Sequence, residues 1–186
     1  PHGDPIPSRE GRLPPRRGRP LAERPAGWRG RVAHVEDEPA DLYHRLAREG
    51  FAPDARLHVL GSTPGGGVSV RVDGRELELS RAEAALVTSD ELPRGAVFDE
   101  RVRRLSELQP GGRATVIGLS PQVRGLPRDR LLDLGFVPGT VVEIALRAPS
   151  GDPIAYRVRG AVIALRREQA DRILAHLETP APEGRP

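Results

Sequence analysis

Four amino acids are absent from this chain of 186 residues: lysine, asparagine, methionine and cysteine. Without cysteine the chain can form no disulfide, thiolate metal site or cysteine nucleophile, and the redox compartment stays open. Without lysine it can hold neither a phosphate-loop lysine nor a Schiff base. Because methionine is also absent, we expect Pro1 to be an internal position of a longer or processed protein. These absences remove several classes of enzyme before any motif is considered.

The positive charge is concentrated in one segment. All 29 basic residues are Arg, and with 26 acidic residues the formal net charge is only +3. Eight Arg lie between Arg9 and Arg31 against two Glu, which gives this segment +6 and leaves −3 for the remainder. The segment is either a contact for DNA phosphates or a solubilising linker. No run approaches the roughly 18 apolar residues that a membrane span needs, and no signal peptide pattern opens the chain, so we predict a cytoplasmic protein that is not membrane-embedded.

One sequence unit is present twice. Residues 50–53 (GFAP) recur as 135–138 (GFVP) at an offset of 85, and both follow an Arg-Leu pair five residues upstream. Residues 71–74 (RVDG) recur as 157–160 (RVRG) at an offset of 86. Two such matches at nearly the same offset predict two copies of one fold.

Each copy predicts a first strand followed by a short helix. The strands are predicted over 30–35 and 113–119, where apolar residues alternate. The helices carry an apolar stripe and are predicted to end at Gly50 and Gly135, in the left-handed position that favours glycine.

A hairpin is predicted to follow in each copy, with its turn at 73–74 and at 159–160. Ser80 and Glu83 have the spacing of a capping box, which predicts one final helical turn in copy one. In copy two the apolar spacing predicts a longer amphipathic helix that contains Ala170, Ile173, Leu174 and Leu177. Five short strands and one helix in each copy are typical of a small closed or nearly closed β-barrel, which hides its sheet edges.

The motifs of both copies resemble known families. Residues 105–177, which include RLLDLGFVPGTVVEI and APSGDPIAYRVRG, resemble an FeoA domain along its full length. Copy one, with HVEDEPADLYHRLAREGFAPDARLHVL, resembles the SH3-like C-terminal domain of iron-dependent repressors of the diphtheria toxin repressor family. Residues 1–7 resemble the end of that family's dimerisation domain.

The resemblance implies a mainly β fold of two tandem SH3-like barrels, each with one short helix after its first strand and a C-terminal turn or helix. The chain is expected to begin with a Pro/Arg-rich linker and the end of a dimerisation domain, over residues 1–20. The first barrel is expected over 21–92 and the second over 105–178, with a linker at 93–104 between them. A disordered tail is expected at 179–186.

The function implied by the resemblance is the C-terminal regulatory region of an Fe- or Mn-dependent transcriptional repressor. Its DNA-binding and dimerisation domains would lie upstream, DNA would be contacted only through them, and the full-length protein would be a homodimer. The alternative is an accessory protein that contacts a ferrous iron transporter, as FeoA proteins do. An unrelated peptide-binding scaffold is the third hypothesis. No catalytic triad, nucleophile elbow or paired carboxylate set is present, so we expect no enzyme.

Metal binding is expected, at most, near the end of the first strand. In the repressor family this strand supplies two oxygen ligands spaced i and i+3, which align with Ala33 and Glu36. Ala33 has no donor atom, so Glu36, helped by His34, is the candidate ligand for Fe(II) or Mn(II) in a weak or incomplete site. The acidic run around Glu36 is explained equally well by the helix dipole.

Two loops carry motifs with competing interpretations. Pro14, Pro15, Arg16 and Arg17 form a polyproline-type segment that could dock on an SH3-like barrel of the same chain, or could be a flexible linker. Residues 65–67 are all glycine, but they lack the strand-loop-helix context and the lysine of a phosphate cradle, so we predict a loop between strands.

Overall fold

The computed structural model describes residues 18–178, which fold into two units that divide between Phe98 and Asp99. Each unit is built on one six-stranded antiparallel sheet with a few short helices. The predicted mainly β class with two copies of one fold is therefore confirmed. The expected segments 1–17 and 179–186, including Pro14, Pro15, Arg16 and Arg17, lie outside the described residues.

Unit 1 has strands in the sheet order β1-β6-β2-β3-β4-β5. Its elements, in chain order, are β1 (Arg19–Pro20), a 3-10 turn (Leu21–Glu23), β2 (Arg29–Val35), α1 (Ala40–Glu49), β3 (Arg56–Ser62), β4 (Val68–Val72), β5 (Arg75–Leu79), α2 (Arg81–Leu86) and β6 (Val87–Asp90).

Unit 2 repeats this order as β7-β12-β8-β9-β10-β11. Its elements are β7 (Val102–Arg104), a 3-10 turn (Leu105–Glu107), β8 (Arg113–Leu119), α3 (Leu126–Asp133), β9 (Val141–Arg147), β10 (Ile154–Val158), β11 (Ala161–Leu165), α4 (Arg167–Ala170) and β12 (Ile173–Glu178). β1 falls inside the range expected for the first linker, and β7 inside the range expected for the second.

The sheets are open rather than closed. β1 and β5 form the two edges of the first sheet, and β7 and β11 those of the second. Six strands are present in each unit, one more than the five expected, because the short N-terminal strands pair with the last strand of their own unit.

Both glycine helix ends are confirmed. Gly50 has φ 117° and donates its N–H to the helix, while the Phe51 N–H bonds to the carbonyl of Leu46 at 3.0 Å. Gly135 has φ 93°, and the Phe136 N–H bonds to the carbonyl of Leu131 at 3.1 Å. A bond spanning five residues after a left-handed glycine defines a Schellman motif. Each Phe is thereby directed into the core, where it is almost fully buried.

The two hairpin turns are also as predicted. Asp73 and Gly74 have φ 44° and 85°, and Arg159 and Gly160 have φ 48° and 85°. Two consecutive positive φ values define a type I′ turn, whose twist matches that of the strands it joins. Both turns therefore connect adjacent strands, β4 to β5 and β10 to β11.

The long C-terminal helix predicted for copy two is wrong. Only Arg167–Ala170 is helical, and Ile173–Glu178 forms β12. β12 pairs with β8 on one side and β7 on the other, and buried Ile173 and Ala175 alternate with half-buried Leu174 and His176. The apolar residues satisfied a helical spacing, but hydrogen bonding to two strands selects the extended form.

The capping box of α2 is present. The Ser80 hydroxyl accepts from the Glu83 N–H at 3.2 Å, and the Glu83 carboxylate accepts from the Ser80 N–H at 2.8 Å. This reciprocal pair satisfies backbone donors that a helix start leaves without partners.

Each unit has its own hydrophobic core. Leu46, Phe51 and Val70 are among the buried residues of unit 1. Leu131, Phe136 and Tyr156 occupy the core of unit 2, and burial raises the pKa of Tyr156 to about 12. No residue belongs to both described cores, so each unit has the internal packing of a separate small domain.

Candidate functional site

The predicted metal ligands lie together at the end of β2. His34 is on the strand and Glu36 directly follows it, with His34 Nε2 and Glu36 Oε1 3.5 Å apart. The His34 side chain is buried, whereas Glu36 is partly exposed. Ala33, between Val32 and His34, contributes no donor atom.

These residues do not form a complete metal site. A structural zinc site takes four protein ligands, and a catalytic zinc site takes three. Among residues 18–178, no group of three or more His, Asp or Glu side chains could hold a metal ion. His34 and Glu36 could therefore supply one nitrogen and one oxygen ligand, as the sequence indicated, and the role of either residue stays a prediction.

The other described histidines are on separate elements. His44 is on α1, where its ring contacts Tyr43, and His58 is on β3 with its ring edge against Phe98. His176 on β12 lies 2.7 Å from Asp99, from Nε2 to Oδ2. Each ring has a protein contact of its own, and they are not gathered at one point.

Unit 2 has a groove that is lined by described residues. It has a volume of about 620 Å³ and lies between α3 and the segment that runs from β11 through α4. Gly125, with φ 58°, precedes α3, and Pro127 stands in its first turn, so the local sequence fixes where this wall begins.

Most of the residues that line the groove are apolar. Its floor contains buried Leu131 and Leu165, and half-buried Leu134 and Ile163 rise from it. Leu126, at the start of α3, is 84% exposed and lines the same groove. A concave apolar surface with an almost fully exposed leucine at its mouth is typical of a binding site.

The rim of the groove is mainly basic. Arg130, Arg166 and Arg172 line it, together with Glu168. Glu168 Oε1 lies 2.7 Å from Arg172 Nη2, so this acid is already paired with one of the three cations. The lining thus carries a net charge of +2 and favours an anionic or acidic ligand.

The sequence did not reveal this groove. Its residues extend from Val123 to Arg172, and only the fold brings α3 beside the β11–α4 segment. One signal was available, since Arg130 and Leu131 repeat Arg45 and Leu46 at the offset of 85. That repetition fixed the register of the copies but could not show that Arg130 borders a cavity.

None of the helices of the described residues is long and apolar enough to span a membrane.

A model of one protein family matches both units of the chain. The model of the FeoA domain matches residues 19–89 and again residues 103–176. An Fe(2+) transport protein A/Fe(2+) transporter FeoB fusion protein of Porphyromonas gingivalis is 39% identical over 74 residues. That match covers 40% of this chain but only 8% of the relative, so this chain spans a small part of the relative's length.

Three solved structures are similar to parts of the chain. A manganese-dependent transcriptional repressor in complex with manganese is 31% identical, with a TM-score of 0.46 over 50% of this chain and 45% of its own. FeoA of Chlorobium tepidum is 34% identical, with a TM-score of 0.38 over 44% of this chain and 75% of its own. FeoA of Stenotrophomonas maltophilia, complexed with zinc, is 30% identical, with a TM-score of 0.38 over 42% and 98%.

Because the two matches of the family model together span more than half of the residues, the chain belongs to the FeoA domain family, of which it contains two copies.

Proposed function

We propose that the chain is a non-catalytic accessory module in ferrous iron transport, which acts by protein–protein contact through the groove of unit 2. The observation that carries this proposal is the apolar groove itself, with Leu126 84% exposed at its mouth. An exposed leucine beside a concave apolar surface gains favourable burial only when a partner covers it.

The similarity to a protein of Porphyromonas gingivalis supports a contact with a ferrous iron transporter. That protein's name joins Fe(2+) transport protein A to the transporter FeoB in one polypeptide, and the match is 39% identical over 74 residues. Two functions fused in one chain act at high effective concentration, which favours a physical contact between them. A separate FeoA module would reach the same contact by binding.

A second candidate function rests on unit 1. The regulatory region of a metal-dependent repressor is favoured by the position of Glu36 at the end of β2, where the repressor resemblance implies an oxygen ligand. His34 lies 3.5 Å away and would add a nitrogen donor. Fe(II) or Mn(II) are the metals that such a mixed nitrogen and oxygen set suits.

Binding to a purified FeoB-type ferrous iron transporter in detergent tests the first candidate. The intact chain should bind, and Leu126→Ser should weaken binding by roughly tenfold, because it removes apolar surface at the groove mouth. Val162→Ser is the matched control, since Val162 is also exposed, at 57%, but does not line the groove. Equal weakening by both variants, or no binding by the intact chain, would contradict the proposal.

Calorimetry with Mn(II) tests the second candidate. The intact chain should give a measurable heat of binding, and Glu36→Ala should lose it. The control is Glu38→Ala, which also removes one negative charge but lies two residues away in the same acidic run. Equal heats in all three proteins would remove Glu36 from the metal-binding role.

A further inference from the structure

The two copies differ in how one arginine is neutralised. In unit 1, Arg45 Nη1 on α1 lies 2.5 Å from Glu83 Oε1 on α2, so a salt bridge joins the two helices. Glu83 is nearly fully buried, and its other oxygen, Oε2, accepts the capping hydrogen bonds of Ser80. One carboxylate therefore caps α2 and neutralises Arg45.

In unit 2 the corresponding positions are Arg130 and Gln169, at the offsets of 85 and 86 that define the repeat. Gln169 repeats the capping role, since its Oε1 accepts from the Arg166 N–H at 3.0 Å. The correspondence therefore holds in the structure as well as in the sequence.

The replacement of glutamate by glutamine removes the acceptor for the arginine. Where Glu83 has a second oxygen, Gln169 has an amide NH₂, which can only donate, and its side chain carries no negative charge to neutralise an arginine. A guanidinium is likewise only a donor, so Gln169 cannot do for Arg130 what Glu83 does for Arg45. Both residues line the apolar groove, and Arg130 has no ion pair within residues 18–178.

We propose that the groove of unit 2 binds an acidic, leucine-containing segment of a partner protein, whose carboxylate takes on Arg130 the place that Glu83 holds on Arg45 in unit 1. This inference rests on the proposed function and specifies the chemistry of the partner. The net positive lining selects an acidic segment, and the apolar floor of Leu131, Leu134 and Ile163 selects its leucines. Unit 1 carries the equivalent carboxylate within its own chain.

The probe is a capped eight-residue peptide in which pairs of leucine and glutamate alternate. The ¹⁵N-labelled full chain is titrated with it, and backbone amides of α3 and of the β11–α4 segment should shift. A peptide with glutamine in place of glutamate should bind roughly tenfold more weakly, because an ion pair with Arg130 is replaced by a hydrogen bond in which only the arginine is charged.

Three variants separate the carboxylate contact from general effects. Arg130→Gln should weaken binding of the acidic peptide by roughly tenfold and leave only a small preference for it over the glutamine peptide, since Arg166 still lines the groove. Gln169→Glu places a carboxylate beside Arg130 within the chain, so it should weaken binding by as much while the fold is retained. Arg128→Gln removes a neighbouring charge of α3 that does not line the groove, and should leave binding unchanged.

The arginine side chain also provides a direct readout. The Nε–H resonance of Arg130 should shift when the acidic peptide is added, and should shift in the same direction in the peptide-free Gln169→Glu variant. If Gln169 only capped α4, the Gln169→Glu substitution would not shift the Arg130 resonance in the way that the acidic peptide does.

Several outcomes would overturn the inference. The acidic peptide could fail to bind, or both peptides could bind the intact chain equally well. A third such outcome is that the amides of α3 shift with protein concentration in the absence of peptide, which would mean that a second copy of the chain occupies the groove. The transporter assay is repeated with Arg130→Gln to keep the two proposals apart. If that variant binds the transporter normally while Leu126→Ser does not, the carboxylate anchor fails and the proposed function stands.

Discussion

At the scale of single residues, the glycines after Pro64 differ in what they are needed for. A Cβ on Gly67 would lie 2.1 Å from the carbonyl oxygen of Leu79, which is backbone and cannot rotate away. A Cβ on Gly65 would meet nothing within 4 Å. The sequence shows three identical residues, and only the close approach of the chain at Leu79 distinguishes them.

Gly67→Ala should therefore destabilise unit 1 by about 2–3 kcal/mol, the usual cost of forcing an extra methyl group into occupied space. Gly65→Ala should change the free energy of unfolding by less than about 0.5 kcal/mol. Urea unfolding of the two variants measures the difference. Similar values for both would show that the β4–β5 end of the sheet can shift to admit the methyl group.

The charge of Asp99 contributes to the stability of the fold. Hydrogen bonds from the Arg101 side chain and backbone, helped by His176, lower the pKa of Asp99 from 3.8 to about 2. A carboxylate with a lowered pKa in the folded state stabilises the fold above its unfolded pKa, and this contribution is lost as the pH falls through the folded value.

The urea midpoint of the intact chain should thus fall as the pH is lowered from about 4 to about 2. Asp99→Asn should be less stable near neutral pH and should show a flatter dependence in this range. Asp133→Asn, which changes an exposed carboxyl on α3, is the control and should keep the slope of the intact chain. Parallel curves for Asp99→Asn and the intact chain would contradict the assignment.

At the scale of elements, the sequence predicted the features that depend on local chemistry. The first strand of copy two was predicted at its observed bounds, 113–119, because apolar alternation is a local feature of the sequence. The Schellman glycines, the type I′ turns and the capping box are local too, and all of them are present.

The elements that were missed depend on distant partners. β6 and β12 each lie between two other strands of their sheet, and β1 and β7 are short edge strands that exist only by pairing with them. No short stretch of sequence encodes such pairing, because β7 and β12 are separated by about 70 residues. Alternate residues of β12 are buried only because β7 and β8 pair with it on its two sides.

The capping box of α2 gives a prediction for a single element. Ser80→Ala removes the hydroxyl that accepts from the Glu83 N–H, and should destabilise unit 1 by about 1 kcal/mol. Ser62→Ala, at the exposed end of β3, is the control and should change stability by less than about 0.5 kcal/mol. Thermal unfolding followed by circular dichroism measures both. Equal stability of the two variants would show that the Glu83 side chain holds the helix start alone.

At the scale of the whole molecule, the repeat predicted two copies of one fold, and each copy has its own core. The candidate site could be predicted only in part. His34 and Glu36 were proposed from the resemblance to the repressor family; they lie 3.5 Å apart, and their role stays a prediction. The groove was not, because its walls come from α3 and from the β11–α4 segment more than 25 residues later.

Separate cores predict separate folding. Fragments 18–98 and 99–178 should each give a dispersed amide spectrum that overlays on the corresponding part of the intact chain. Fragment 99–178 contains the whole groove, so it should bind the acidic peptide with the affinity of the intact chain. A collapsed, poorly dispersed spectrum for either fragment would mean that its core needs the rest of the molecule.

The glutamine that caps α4 also has a genetic consequence. Codons for glutamine and glutamate differ by one base, so a point mutation at position 169 would give unit 2 the internal carboxylate that unit 1 already has. The cap would be kept, since Glu83 shows that glutamate performs it equally well. Under our proposal, a single nucleotide thus decides whether the arginine of a copy is offered to a partner or neutralised within the chain.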